Sequence, residues 1–383
     1  MADRILQFNV ERLEWCCHDA RVSIEELALS IGLTESAVEK IRAGKGVTYA
    51  QLSDIAKYFG RGVLFFLESG PVIEEQLRTP EFRTLTNRKP DLSPKLRQLI
   101  ERADRHRSVY LDLLDELGEP APPKFDPPEV DRRSPAAAAA TIRRWLGLEL
   151  GTHTRFDDFR VVLESVGVLV FRSNGYAGQW QIPEGSPVVG FSLQDERHPI
   201  IIVRREAVRA RQSFTLMHEL GHLVLHRTSW IDEVKDFDSN KREEIEANAF
   251  AGNLLIPKEA LALVDDNERP SSVSEYDVWL EEARNQTGAS GEAILLRLIN
   301  AGRLSQDVYP QYKAWHARNS KSQSSGNRQY RHREPRHIFG DRYVRTVLQS
   351  LESGHISLTR ASDFLDRLKV HDIRQLEKFY AGS

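Results

Sequence analysis

The chain has 383 residues, 40% of them hydrophobic and 28% charged; one hydrophobic core rarely grows past about 250–300 residues, so two or three folding units are expected. The longest apolar runs, Gly62–Leu67 and Val166–Phe171, fall far short of the roughly 20 residues that cross a bilayer, Met1–Val10 holds no signal-like apolar stretch, and two adjacent cysteines, Cys16 and Cys17, exclude a disulfide framework. A net charge of −3 gives the whole chain no electrostatic case for nucleic acid, and a cytoplasmic protein is expected.

Residues 1–70 read as short helices joined by tight turns, with no strand pattern. Asn9–Asp19 carries Val10, Leu13 and Cys17 at helical spacing. Ser23 with Glu26 three residues on is a capping box, opening a helix whose apolar face is Ile24, Leu27, Ala28 and Ile31. Gly32 breaks that helix, Thr34 opens a third through Arg42, and Tyr49–Phe59 is a fourth with Leu52, Ile55, Ala56 and Phe59 inward. Two short helices around Ile31-Gly32-Leu33 match the helix-turn-helix arrangement. The stretch from Ser23–Ala28 through Ile41–Lys45 resembles DNA-binding domains of the XRE (phage-repressor) type. That resemblance makes Thr34–Arg42 the recognition helix, with Thr34, Glu35, Ser36, Lys40, Arg42 and Lys45 as its DNA-facing positions. Against it, Glu35 and Glu39 place carboxylates toward phosphate, and residues 1–70 hold eight Lys/Arg against ten Asp/Glu. A helical protein-binding or dimerising module is the alternative.

Residues 71–130 read as a connector, with a charge-rich helix over Pro94–Leu117 and a stiff spacer through Pro120–Pro128. Beyond it, residues 131–310 open with helices at Ala136–Leu146 and Phe156–Val166. Three Val/Ile-rich runs follow as strands, Val168–Arg172, Val188–Leu193 and Pro199–Val203. Helix dominates from Arg211 onward. A few strands followed by helices argue for an α+β domain.

The chemistry concentrates in Phe214–His226. No proline interrupts it, and Phe214, Met217, Leu220 and Val224 mark an apolar stripe. In a helix, His218 and His222 lie on one face about 6 Å apart along the axis, so both imidazoles can hold one cation. Glu219, rotated by about 100°, sits beside that cation without having to ligate it. This is the HExxH arrangement of zinc peptidases, with the glutamate as general base. Two histidines need a third protein ligand with a fourth position left for water. Lys241–Pro257 reads as a second helix, buried through Ala247, Phe250, Ala251, Leu254 and Leu255, with Glu244 on its inward edge. A turn through Asp232–Asn240 brings this helix back antiparallel. Glu243 and Glu246 are the rival acids, and Glu246 is expected to face solvent. His226, about 12 Å from His218, is too distant to share the ion; it either supports the site or caps the helix. Tyr176 and Tyr276 are both open as oxyanion donors. Pro199–Val203 is a hypothetical edge for strand addition by a peptide.

His-Glu-Leu-Gly-His followed by Glu-x-x-Ala-Asn-x-Phe-Ala-x-x-Leu-Leu-x-Pro resembles the ImmA/IrrE family of metallopeptidases, and Glu81-Phe82-Arg83-Thr84 resembles the subgroup carrying a preceding XRE domain. Residue by residue, the resemblance assigns His218, His222 and Glu244 as metal ligands and Glu219 as the catalytic glutamate. Asn248, one turn after Glu244, is expected to orient a ligating histidine. Zn2+ is the default ion, with Mn2+ or Fe2+ possible. The resemblance implies a protein substrate of repressor or antitoxin type, cleaved in response to stress. A DNA-binding transcriptional regulator or antitoxin that senses metal or a partner without proteolysis is the alternative.

Residues 311–339 read as a basic polar linker, since residues 313–346 carry nine Lys/Arg against Glu334 and Asp341. Arg342–Ser350, Ser357–Leu368 and Ile373–Phe379 form short helices in a module at 340–383. The expected fold is therefore multidomain: an all-α helix-turn-helix domain over residues 1–70, an α+β zincin-like metallopeptidase domain over 131–310, and a small helical C-terminal module.

Overall fold

In the computed structural model, residues 4–20, 22–72, 92–174, 178–183, 185–206, 208–233, 241–319 and 331–382 are described. The chain divides into two compact units, Met1–Asp104 with Ile182–Glu184, and Arg105–Gln181 with Gly185–Ser383.

The first unit contains α1 (Val10–Ala20), α2 (Ile24–Ile31), α3 (Glu35–Arg42) and α4 (Tyr49–Phe59). Ser23 and Glu26 form the reciprocal capping box, Gly32 ends α2 in the left-handed region, and Thr34 accepts a hydrogen bond from the Ala37 N–H to start α3. Leu13, Leu27, Ile41, Leu52, Ile55 and Phe66 are fully buried among these helices. The unit is not all-α. β1 (Arg4–Ile5) pairs antiparallel with β2 (Val47–Thr48), two strands too short to leave any periodicity in the sequence. The helix α5 (Pro94–Glu116) follows, and the division between units falls within it.

The second unit is built on a four-stranded sheet. Its strands are β3 (Leu169–Arg172), β4 (Val188–Leu193), β5 (Ile200–Val203) and β6 (Trp230–Glu233), in the order β3-β5-β4-β6. β3 runs parallel to β5, while β4 runs antiparallel to both β5 and β6. Before the sheet come α6 (Pro135–Trp145) and α7 (Phe156–Ser165). α8 (Arg209–Gly221) packs on β4 and β5, and α9 (Arg242–Leu255) packs on α8 and α6. Leu216, Met217, Leu220, Phe250, Ala251 and Leu254 are fully buried where these helices meet. β5 is hydrogen-bonded on both sides, so the strand-addition edge expected at Pro199–Val203 does not exist. The fourth strand, β6, falls where helix and turn were expected.

α10 (Gly291–Asn300) and α11 (Val308–Asn319) continue the unit, followed by α12 (Glu334–Glu352), α13 (Leu358–Phe364) and α14 (Val370–Ala381). The expected linker at 311–339 is therefore helical at both ends; residues 320–330 lie outside the described residues. α12 is interrupted at Gly340 (φ 84°, ψ 169°). Carbonyls before the break are capped from α7 and β3: Arg160 donates to the oxygens of Arg336 (3.1 Å) and His337 (3.0 Å), and Arg172 to that of His337 (3.2 Å).

Candidate metal centre

The centre is assembled by α8, α9 and β6. The apolar residues of α8 point into the core, which carries His218 and Glu219 with them to zero exposure. After Gly221 the helix widens into a single π-turn, His222–His226, closed by Arg227 in the left-handed region at φ 50°. Such turns recur at functional sites because one extra residue per turn redirects the side chains that follow.

Four buried side chains converge: His218, His222, Asp232 and Glu244, whose donor atoms lie within 4.8 Å of one another. The two imidazole Nε2 atoms are 3.0 Å apart. Asp232 Oδ2 is 3.1 Å from His218 Nε2, and Asp232 Oδ1 is 3.5 Å from His222 Nε2. Glu244 Oε2 is 3.3 Å from His218 Nε2 and 3.9 Å from His222 Nε2. Glu244 is oriented through its other oxygen, which accepts a hydrogen bond from Trp230 Nε1 at 2.7 Å, while the Trp230 ring stacks on His222 at 4.6 Å between centroids. Burial lowers the pKa of His218, but Asp232 and Glu244 outweigh it and push the group up to about 9. Burial likewise opposes ionisation of Asp232, yet His218 and His222 hold its carboxyl well below the usual range. Two neutral imidazoles and two carboxylates facing one point balance the charge of a divalent cation, which is the fit a buried ion requires.

Behind His222 runs a hydrogen-bonded chain. His222 Nδ1 lies 2.9 Å from His226 Nδ1, His226 Nε2 lies 3.2 Å from Glu246 Oε2, and Arg242 Nε donates to Glu246 Oε1 at 2.6 Å. If His222 Nε2 keeps its lone pair for a cation, its Nδ1–H donates to His226, whose Nε2–H donates to Glu246. This assignment follows from the network. Glu246 is thus only 8% exposed, contrary to the solvent-facing expectation, because His226 and Arg242 each engage one of its oxygens.

Glu219 occupies a niche against β4. A Cβ on Gly190 would stand 2.7 Å from Glu219 Oε1 and 2.7 Å from Thr215 Cγ2, so only glycine leaves room for the carboxyl. Burial first, then the negative charge of Asp232 and a hydrogen bond with it, hold Glu219 well above the ordinary carboxylate range.

Residues 164–298 match the family model of the IrrE N-terminal-like domain, a peptidase family. The match spans β3 to α10 and includes all four converging side chains. No curated protein matches the chain. Similarity to that peptidase family implies a metal ion, and the buried His/Asp/Glu group is where the IrrE-like region can hold it.

The structure thus places His218, His222 and Glu244 together with Asp232, which sequence reasoning missed, and sets Glu219 beside Asp232. Asn248 is half-buried one turn after Glu244. Tyr276 is buried in the core, packed on Trp279 and Tyr312; Tyr176 and Glu81–Thr84 lie outside the described residues. In the first unit Thr34, Glu35, Ser36, Lys40, Arg42 and Lys45 are all exposed, Thr34 as the cap of α3 and Arg42 in an ion pair with Glu25 at 2.5 Å.

Proposed function

We propose that the chain is a metal-dependent regulatory endopeptidase that cleaves a protein of repressor or antitoxin type. The observation that carries this reading is the convergence of two histidines from α8 and a carboxylate from α9 beside a sequestered glutamate. Two imidazoles with carboxylate oxygens favour Zn2+, with Mn2+ or Fe2+ as other occupants. When bound, the ion supplies Lewis-acid polarisation of a water and of the scissile carbonyl. Glu219, kept dry in the Gly190 niche, takes a proton at its carboxylate and returns it to the leaving amine. His222 is held in one tautomer by His226 and Glu246, and Glu244 is aimed by Trp230. Asn248 orients a ligating histidine from the next turn of α9.

The regulatory substrate rests on the family resemblance and on the helical first unit. There the exposed positions Lys40, Arg42 and Lys45 on and after α3 would contact duplex DNA. The absence of any described helix long and apolar enough to cross a membrane is consistent with a cytoplasmic site of action. A second reading, a DNA-binding regulator whose peptidase-like region senses metal without hydrolysis, is favoured by one observation: Asp232 gives the centre four protein side chains instead of three.

Glu219→Gln in the full chain tests the enzyme. The expected outcome is an unchanged metal content and accumulation of one intact regulatory protein in cells, measured by quantitative proteomics. Equal levels of every regulator in parent and variant cells, under stress as well as in unstressed culture, would reject hydrolysis and leave the sensor.

A further inference from the structure

A catalytic peptidase centre keeps three protein ligands and leaves a position for water. The geometry here differs. Asp232 approaches both imidazoles more closely than Glu244 does, at 3.1 Å against 3.3 Å for His218 and 3.5 Å against 3.9 Å for His222. It presents one oxygen to each ring, and its remaining polar neighbour is the Glu219 carboxyl, with which it shares a hydrogen bond. Glu244, in contrast, is tethered through Oε1 to Trp230. The side chain of Asp232 is wholly buried, where an ionised carboxylate needs positive charge facing it, supplied either by a proton on His218 or by a cation held between the two rings.

The backbone explains how Asp232 arrives. β6 pairs with β4 as Val188↔Glu233 and Gly190↔Asp232, leaving Val189 as an extra residue between them. A bulge of this kind bends the strands and redirects the side chain beside it. β6 also lies at the end of the sheet order, paired only with β4 among the described strands.

We propose that Asp232 is a fourth protein ligand occupying the position a hydrolytic water needs, so that the resting centre is closed and opens when Asp232 withdraws from the ion. The inference rests on the metal-dependent reading above and deepens it: the peptidase is latent, and its control point is a carboxylate on β6.

The test uses the full chain loaded with Co2+, as the parent and as Asp232→Ala, the isosteric Asp232→Asn, and Glu244→Ala. Three readouts are independent of activity: affinity by chelator competition, the visible ligand-field spectrum, and relaxation of solvent protons by the bound ion. The parent is expected to show an intense four-coordinate spectrum and little solvent relaxation. Both Asp232 variants should bind Co2+ about 10-fold more weakly or worse, since even outer partners of ligands cost that much, and should gain solvent relaxation as water enters. Asp232 variants that bind as tightly as the parent with an unchanged spectrum, while Glu244→Ala loses the ion, would overturn the Asp232 assignment alone. A parent that binds no Co2+ would overturn both this assignment and the metal-dependent reading. Should both Asp232 variants misfold by circular dichroism, the parent decides: strong solvent relaxation there rejects a closed centre.

Discussion

Glu246 shows how much a single side chain two positions from a proposed ligand can contribute. Its Oε2 takes the His226 Nε2–H, and that ring in turn meets His222 Nδ1, so the carboxylate acts on His222 through one intervening imidazole. His226 follows His222 by four residues, the spacing that also brings His218 to His222, and the two ring centroids are 5.1 Å apart. Partners of this kind fix the tautomer and raise the basicity of the nitrogen that faces a cation, and their loss typically costs 10–100-fold in metal affinity. Glu246→Ala is therefore expected to weaken binding of Zn2+ by about 10-fold or more, with Glu246→Gln in between. Chelator competition at fixed pH measures it. Equal affinity in all three proteins would show that the chain behind His222 is only packing.

At the scale of elements, the interruption of α12 makes a prediction about pH. Gly340 is present because its backbone conformation is essentially closed to other residues and because a Cβ there would stand 2.7 Å from Glu164 Oε1. Glu164 is buried on α7, and burial pushes its carboxyl up to about 8 despite Arg160 and Arg342. In the unfolded chain it titrates near 4.3. Between these values the unfolded state has released the proton while the folded state retains it, so stability falls as pH rises through the window, by at most about 1.4 kcal/mol per unit. Glu164→Gln should match the parent in thermal unfolding at pH 5 and exceed it at pH 8; a gap that stays constant with pH would remove the argument. The same scale shows what was legible in the sequence. His218, Glu219 and His222 were readable because helical spacing alone fixes their relative positions, and Glu244 because the returning helix carries a clear apolar face. Asp232 was hidden in a four-residue strand containing two acids, with no alternation to mark it. Glu246 was misplaced because the wheel of one helix holds no information about a side chain, here His226, that a neighbouring element lays against it. The expected binding edge at Pro199–Val203 failed for a related reason: strand order is a property of the sheet, and nothing local in Ile200–Val203 says that both its sides are taken.

At the scale of the molecule, charge decides which part can meet nucleic acid. Among the described residues of the basic run at 313–346, five arginines are engaged within the second unit. Arg336 pairs with Asp341 at 2.8 Å, Arg342 donates to the Glu164 carbonyl at 3.2 Å, Arg331 pairs with Glu334, and the guanidinium groups of Arg333 and Arg345 lie over Phe379 and Tyr380. Cations held in this way are poor phosphate ligands, since each would have to give up an existing partner. On and just after α3 the exposed cations are Lys40, Arg42 and Lys45; they share that segment with Glu35 and Glu39, and Arg42 is already held by Glu25. Counterion release gives each neutralised phosphate a slope of about −0.9 in log affinity against log salt, so two contacts per chain, from Lys40 and Lys45, predict a slope of about −2. Fluorescence anisotropy of a labelled duplex across a salt series should yield that value for the full chain, and Lys40→Glu with Lys45→Glu should remove binding while leaving metal content unchanged. A much steeper slope that survives both substitutions would transfer the DNA contact to the second unit or to residues 320–330, and α3 would then be a protein-binding surface.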